Sequence, residues 1–136
     1  VVYLADCLSS KATLDKYGIP FIYDVASYLG TLEMVGKLEA RLFVPAHAEA
    51  AEDVSGLAAY NIGKVHEVAD RVLSICSEPS STETIIQKLF RAYGLRMDFQ
   101  QYALVGSTIR SYLSWLHDSG SLSVSFDSGM LLWERR

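Results

Sequence analysis

The chain opens on Val1-Val2-Tyr3-Leu4-Ala5, an apolar run without polar alternation that predicts a strand buried on both faces and stopping at Asp6-Cys7. Ser9 or Ser10 then caps a short helix through Tyr17, with Gly18 in the C′ position and Pro20 preventing continuation. From Asp24, a second N-cap, Val25, Tyr28, Leu29, Leu32, Val35 and Leu38 recur at steps of three and four. They make one face of an amphipathic helix that tolerates Gly36. Arg41-Leu42-Phe43-Val44 reads as a second buried strand closed by Pro45. Strand, helix, strand is a βαβ unit with parallel strands, and ligands bind such sheets at the carboxyl ends of the strands. Asp6 ends the first strand in this reading, and His47 lies just past the end of the second.

From Glu52 onward no further buried strand is expected before the C-terminus. Asp53 caps a long helix with Leu57, Tyr60 or Asn61, Val65, Val68, Val72, Ile75 and Cys76 at helical spacing, ending at Glu78-Pro79. Ser80-Ser81-Thr82-Glu83 contains an S-x-x-E capping box for a helix with Ile85, Ile86, Leu89, Phe90 and Tyr93 inward and Gly94 as its stop. Asp98-x-x-Gln101 caps a third, striped by Tyr102, Val105, Ile109, Tyr112, Leu113 and Leu116 and ended by Asp118-Ser119-Gly120. Leu122, Val124 and Phe126 alternate with serines, Asp127-Ser128-Gly129 turns, and Met130 to Trp133 returns as the second strand of a hairpin. Three helices and a hairpin in this order match a winged helix-turn-helix module. The predicted fold class is therefore α+β and mostly helical, with residues 1–51 and 52–136 as its two parts.

Composition narrows the class without naming a function. The 136 residues are 50% hydrophobic and 21% charged, a globular balance that excludes a disordered or coiled-coil chain. Twelve Lys and Arg against sixteen Asp and Glu leave a net charge of -4, so there is no global attraction to phosphate backbones or anionic membranes. Cys7 and Cys76 are too few for a disulfide scaffold and form no CxxC pair, which points to a reducing, cytoplasmic setting. No run approaches the roughly 18 apolar residues of a membrane span, and no basic signal-peptide region precedes the first strand. The start without methionine, inside a strand-like run, gives the expectation of a piece of a longer chain.

Carboxylate and imidazole ligate zinc, iron and manganese, but two such residues seldom hold an ion, and a carboxylate after a strand is more commonly a turn or helix cap. Asp6 and His47 are the candidates on residue type alone. His66, mid-helix, and His117, near a helix end where its protonated ring suits the dipole, read as structural or solvated. Cys7 adjoins Asp6 but reads as a free thiol packed as a small hydrophobe, Cys76 as core, and Glu49 as a solvated loop carboxylate.

The segments VVYLADCLSS, ASYLGTLEMVGKLEA and RLFVPAH, followed by a long helix, together resemble the C-terminal part of metallo-β-lactamase-fold hydrolases. The resemblance implies that Asp6, in Leu4-Ala5-Asp6, bridges two metal ions and that His47, in Pro45-Ala46-His47-Ala48, binds one of them. Family members commonly have Gly before the Asp and on both sides of the His; here Ala5, Ala46 and Ala48 stand in those places. Many members also carry a C-terminal winged-helix module beginning with such a helix, so the resemblance spans nearly the whole chain.

The H-x-H-x-D-H signature that supplies the family's other ligands is not found among His47, His66 and His117. The resemblance therefore implies a βαβ remnant of a metal-dependent hydrolase, contributing two ligands for a divalent cation, expected to be zinc. The ion in the parent protein would polarise the scissile group and lower the pKa of bound water, while this chain alone is expected to be inactive, with metal binding by the chain itself left open. Expected partners are the upstream catalytic segment and a second copy, because the remnant leaves sheet edges uncovered. An ester-type small molecule or RNA is the expected substrate class of the parent.

The alternative is a stand-alone winged-helix regulator. Arg110 and His117 are the basic residues its third helix offers to nucleic acid, but residues 51–136 hold eight Lys and Arg against ten Asp and Glu, which disfavours DNA.

Overall fold

The computed structural model describes residues 1–136. In chain order the elements are β1 (Val2–Ser9), α1 (Lys11–Tyr17), α2 (Val25–Lys37), β2 (Phe43–His47), α3 (Ser55–Ile75), β3 (Ser80–Ser81), α4 (Thr82–Ala92), α5 (Phe99–Asp118), β4 (Leu122–Asp127) and β5 (Met130–Arg135). The chain is α+β and 53% helical. No helix is long and apolar enough to cross a membrane. Two compact units form, one from residues 1–18 and 26–66, the other from residues 19–25 and 67–136.

In the first unit β1 and β2 pair in parallel, as the strand-helix-strand pattern predicts. Two details differ from the sequence expectation. β1 continues past Asp6 to Ser9, with register shifts on both sides of Ala5, whose φ of 48° bends the strand. It is also not buried on both faces: Leu4 and Leu8 are buried, while Tyr3, Ala5 and Asp6 are exposed.

Pro45 lies inside β2 rather than closing it. Phe43 exchanges both main-chain hydrogen bonds with Ala51, at 2.7 and 3.0 Å. Strand alternation turns position 45 the same way as Phe43, off the β1 ladder, so a residue without an N–H removes no ladder bond there. The core of this unit is Leu4, Leu8, Leu32, Val35, Phe43, Val54 and Ala58.

Local chemistry sets the helix ends. Ser10 Oγ accepts from Thr13 N–H at 3.2 Å, and Gly18, at φ 72°, ends α1 by donating to Leu14 O. Asp53 Oδ1 accepts from Ser55 N–H at 2.8 Å ahead of α3. Asp98 Oδ1 accepts from Gln101 N–H at the start of α5.

The cap of α4 is Ser81, one residue later than the S-x-x-E pattern places it. Ser81 Oγ accepts from Thr84 N–H, while Ser80 pairs with Trp133 in a short strand that the sequence pattern did not announce. This strand completes a three-stranded antiparallel sheet in the order β3-β5-β4. Ile85, Ile86, Leu89 and Phe90 of α4 are buried, as are Val105, Ile109, Tyr112, Leu113 and Leu116 of α5. Ile22 joins this second unit through its N–H, which donates to Thr108 Oγ1 at 3.1 Å.

Candidate metal centre

The parallel pairing of β1 and β2 brings together two residues far apart in sequence. His47 ends β2 opposite Ser9, and Ser10 N–H donates to His47 O at 3.1 Å. Asp6 follows the bend at Ala5. His47 Nε2 lies 2.8 Å from Asp6 Oδ1, so the imidazole donates its Nε2–H to the carboxylate.

The atoms that share this proton are the ones a cation would face. Two donors on a tetrahedral zinc with bonds of about 2.0–2.1 Å stand roughly 3.3 Å apart, so the pair would open by about half an ångström. The side chains are 58% and 82% exposed, which leaves their rotamers free to make that adjustment.

The donor set ends at these two. No group of three or more His, Cys, Asp and Glu side chains converges anywhere in the chain. Cys7 is partly buried and packs against the core, where burial pushes its thiol up. The residues present therefore fit two positions of a coordination sphere and do not fit a complete one.

The pair is seated by a residue whose role sequence reasoning missed. Asn61 of α3 is 1% exposed. Its Nδ2 donates to Ser9 O at 3.0 Å and to Leu57 O at 2.8 Å, and its Oδ1 accepts from Ser9 N–H at 3.1 Å and from Tyr28 OH at 3.4 Å. Both main-chain groups of Ser9 are thus held by one amide, at the position that pairs with His47. Burial pushes the Tyr28 hydroxyl up to about 12, so it stays a donor. The available signal was a polar side chain at an inward helical position.

Beside His47 an open cleft of about 550 Å³ is lined by Ser10, Lys11, Ala48, Glu49 and Leu57. Tyr60 lies nearby in the chain, with Lys11 Nζ 4.9 Å from its ring centroid and its hydroxyl donating to Asp15. That hydrogen bond, ahead of the Lys64 ammonium, holds the Asp15 carboxyl below its ordinary value.

Arg110 and His117, the nucleic-acid candidates, are both engaged within the second unit. Arg110 Nη2 is 3.3 Å from Glu83 Oε1, which also accepts from Tyr102 OH at 2.6 Å. The His117 ring stands edge-on to Trp133 at 6.2 Å, with Nδ1 3.6 Å from Asp118.

The fold has solved counterparts. It is similar to a beta-lactamase domain protein from Burkholderia ambifaria, at TM-score 0.74 and 18% identity, over 99% of this chain and 42% of that one. It is also similar to a metallo-beta-lactamase family protein from Thermus thermophilus, at TM-score 0.71 and 15% identity, over 97% and 40%. At these identities the likeness is one of fold, and the chain spans about two-fifths of the length of each. No protein-family model matches the chain. No curated protein matches it either.

Proposed function

We infer that the chain is the C-terminal part of a metal-dependent hydrolase with the metallo-β-lactamase fold, to which it contributes Asp6 and His47 as metal ligands. The observation that carries this reading is the 2.8 Å approach of Asp6, just past the bend inside β1, and His47, at the end of β2, in a fold shared with metallo-beta-lactamase family proteins. Two exposed donors without a third suit a half-site whose other ligands and walls come from the remaining length of such a protein. The open edge of β1 and the exposed Tyr3 suit docking of that upstream segment. A divalent cation, zinc first, is the expected cofactor, and an ester-type small molecule or RNA the expected substrate of the whole protein.

Residues 52–136 serve as a winged-helix module for interaction or substrate positioning. The element order α3, β3, α4, α5, β4, β5 and the sheet order β3-β5-β4 support this reading. The engagement of Arg110 by Glu83 argues against a role in reading DNA.

Elemental mass spectrometry of the purified, desalted chain tests the half-site. Less than one equivalent of metal and no turnover of thioester, lactone or phosphodiester are expected. One full equivalent retained, and lost on His47→Ala, would overturn the reading by showing a site completed within this chain.

A further inference from the structure

The cleft of about 550 Å³ beside His47 has one charged residue of each sign in its walls, Lys11 and Glu49, and an apolar surface from Leu57. Ser10 N–H donates to His47 O, so Lys11, the next residue, enters α1 close to the imidazole. A cleft of this volume is the size that takes a small organic molecule.

Two ammonium groups flank one aromatic ring at this wall. Lys11 Nζ stands 4.9 Å and Lys64 Nζ 5.7 Å from the Tyr60 ring centroid. The carboxylate that serves them is Asp15, which accepts from Tyr60 OH and pairs with Lys64 at 3.4 Å. Of the groups that hold the Asp15 carboxyl down, Lys11 contributes least. An aromatic face seats a cation without neutralising it. Asp15 therefore balances Lys64, and the charge of Lys11 stays open to an incoming anion.

We propose that this cleft binds a monoanionic group of the substrate, with Lys11 as the residue that selects for it and Leu57 as the seat of the apolar body. The inference rests on the reading of Asp6 and His47 as half of a metal centre, which makes the neighbouring cleft the place where substrate lies. One uncompensated ammonium calls for one negative charge. A carboxylate or a phosphodiester supplies it, whereas the second charge of a phosphate monoester would face Glu49 unbalanced. Lysine recognises an anion as a point charge and not through a planar fork, so both oxyanions belong to the class. The group bound by Lys11 is separate from the bond that is cleaved, and Lys11 acts on specificity.

Amide NMR of the metal-free 136-residue chain, titrated with phenylacetate, ethyl phenyl phosphate, phenyl phosphate and benzyl alcohol, tests this. The two monoanions should shift Ser10, Lys11, Ala12, Ala48 and Glu49 with Kd of about 1–10 mM, and benzyl alcohol should bind about fivefold more weakly or worse. The tighter of the two monoanions identifies the oxyanion that the substrate carries. Phenyl phosphate, a dianion, should bind no tighter than they do. Lys11→Met should weaken monoanion binding about fivefold or more, and Lys11→Arg should keep it within about twofold of wild type. Equal binding of benzyl alcohol, much tighter binding of phenyl phosphate, undiminished binding by Lys11→Met, or shifts that fall outside the cleft would each overturn the proposal. No metal is added, so failure here leaves a Zn²⁺ response of His47 standing, and failure of that response leaves anion binding standing.

Discussion

Replacing Asn61 by Leu tests how the Asp6–His47 pair is held. The two side chains share the same branched heavy-atom skeleton, so the change removes hydrogen bonds without opening a cavity. Leu57 O keeps its helical donor, and the half-buried Tyr28 hydroxyl can turn to a new acceptor, but Ser9 N–H and Ser9 O lose the amide that holds both. Each main-chain group left without a partner costs about 1–3 kcal/mol. Ser9 is only partly buried, which puts the pair at the low end, and the buried leucine regains roughly 1 kcal/mol. The net loss should be about 1 kcal/mol, or a Tm lower by about 3–4 °C for a chain of this size. Thermal and urea denaturation followed by circular dichroism measure it, and amide NMR should place the largest shifts at Ser9, Ser10 and His47. A loss below about 0.5 kcal/mol, or unchanged His47 resonances, would refute the reasoning and mean that β2 alone holds Ser9.

Further expectations rest on other residues. Ala5 sits at φ 48°, so Ala5→Val should destabilise by about 1–2 kcal/mol in urea denaturation while Ala5→Gly stays within about 1 kcal/mol of wild type; equal effects would remove the strain. Burial pushes the Cys76 thiol up to about 11. The native state thus holds that proton more tightly than the unfolded chain, and stability should be full below about pH 9 and fall by about 1–2 kcal/mol toward pH 11. A pH series of urea midpoints that stays flat across that window, or that is unchanged in Cys76→Ala, would contradict this. Arg110→Ala should cost less than about 1 kcal/mol, because its ion pair with Glu83 is exposed. It should also leave duplex DNA binding as weak as in the wild type by gel shift, and a salt-sensitive complex lost with Arg110 would favour the regulator reading.

What could be read from the sequence was mostly local. Ser10 with Gly18, Asp98 with Gln101, and the stops at Gly94 and Gly120 are short-range chemistry, and each acts where its residue type predicts. The parallel βαβ unit was legible as well, because two apolar runs separated by an amphipathic helix have few ways to pair. The parts that escaped depend on distant partners. Ser81 rather than Ser80 caps α4: β5 pairs with both serines, and Ser80 turns its hydroxyl back to donate to Glu78 O at 3.0 Å, leaving Ser81 Oγ to accept from Thr84 N–H. β1 runs past Asp6 because Ala5 takes a backbone angle that alanine rarely adopts. Asn61 looks like one more polar helical residue until Ser9 is placed against it. Asp6 and His47 could be brought to one sheet edge by topology, but their separation could not be read.

A Zn²⁺ titration of the 136-residue chain followed by NMR of the histidine imidazoles tests the proposed role of Asp6 and His47 as metal donors. His47 should shift selectively while His66 and His117 stay, and Asp6→Asn should weaken the response about tenfold. A His47 that does not respond, or one that responds equally in Asp6→Asn, would contradict it.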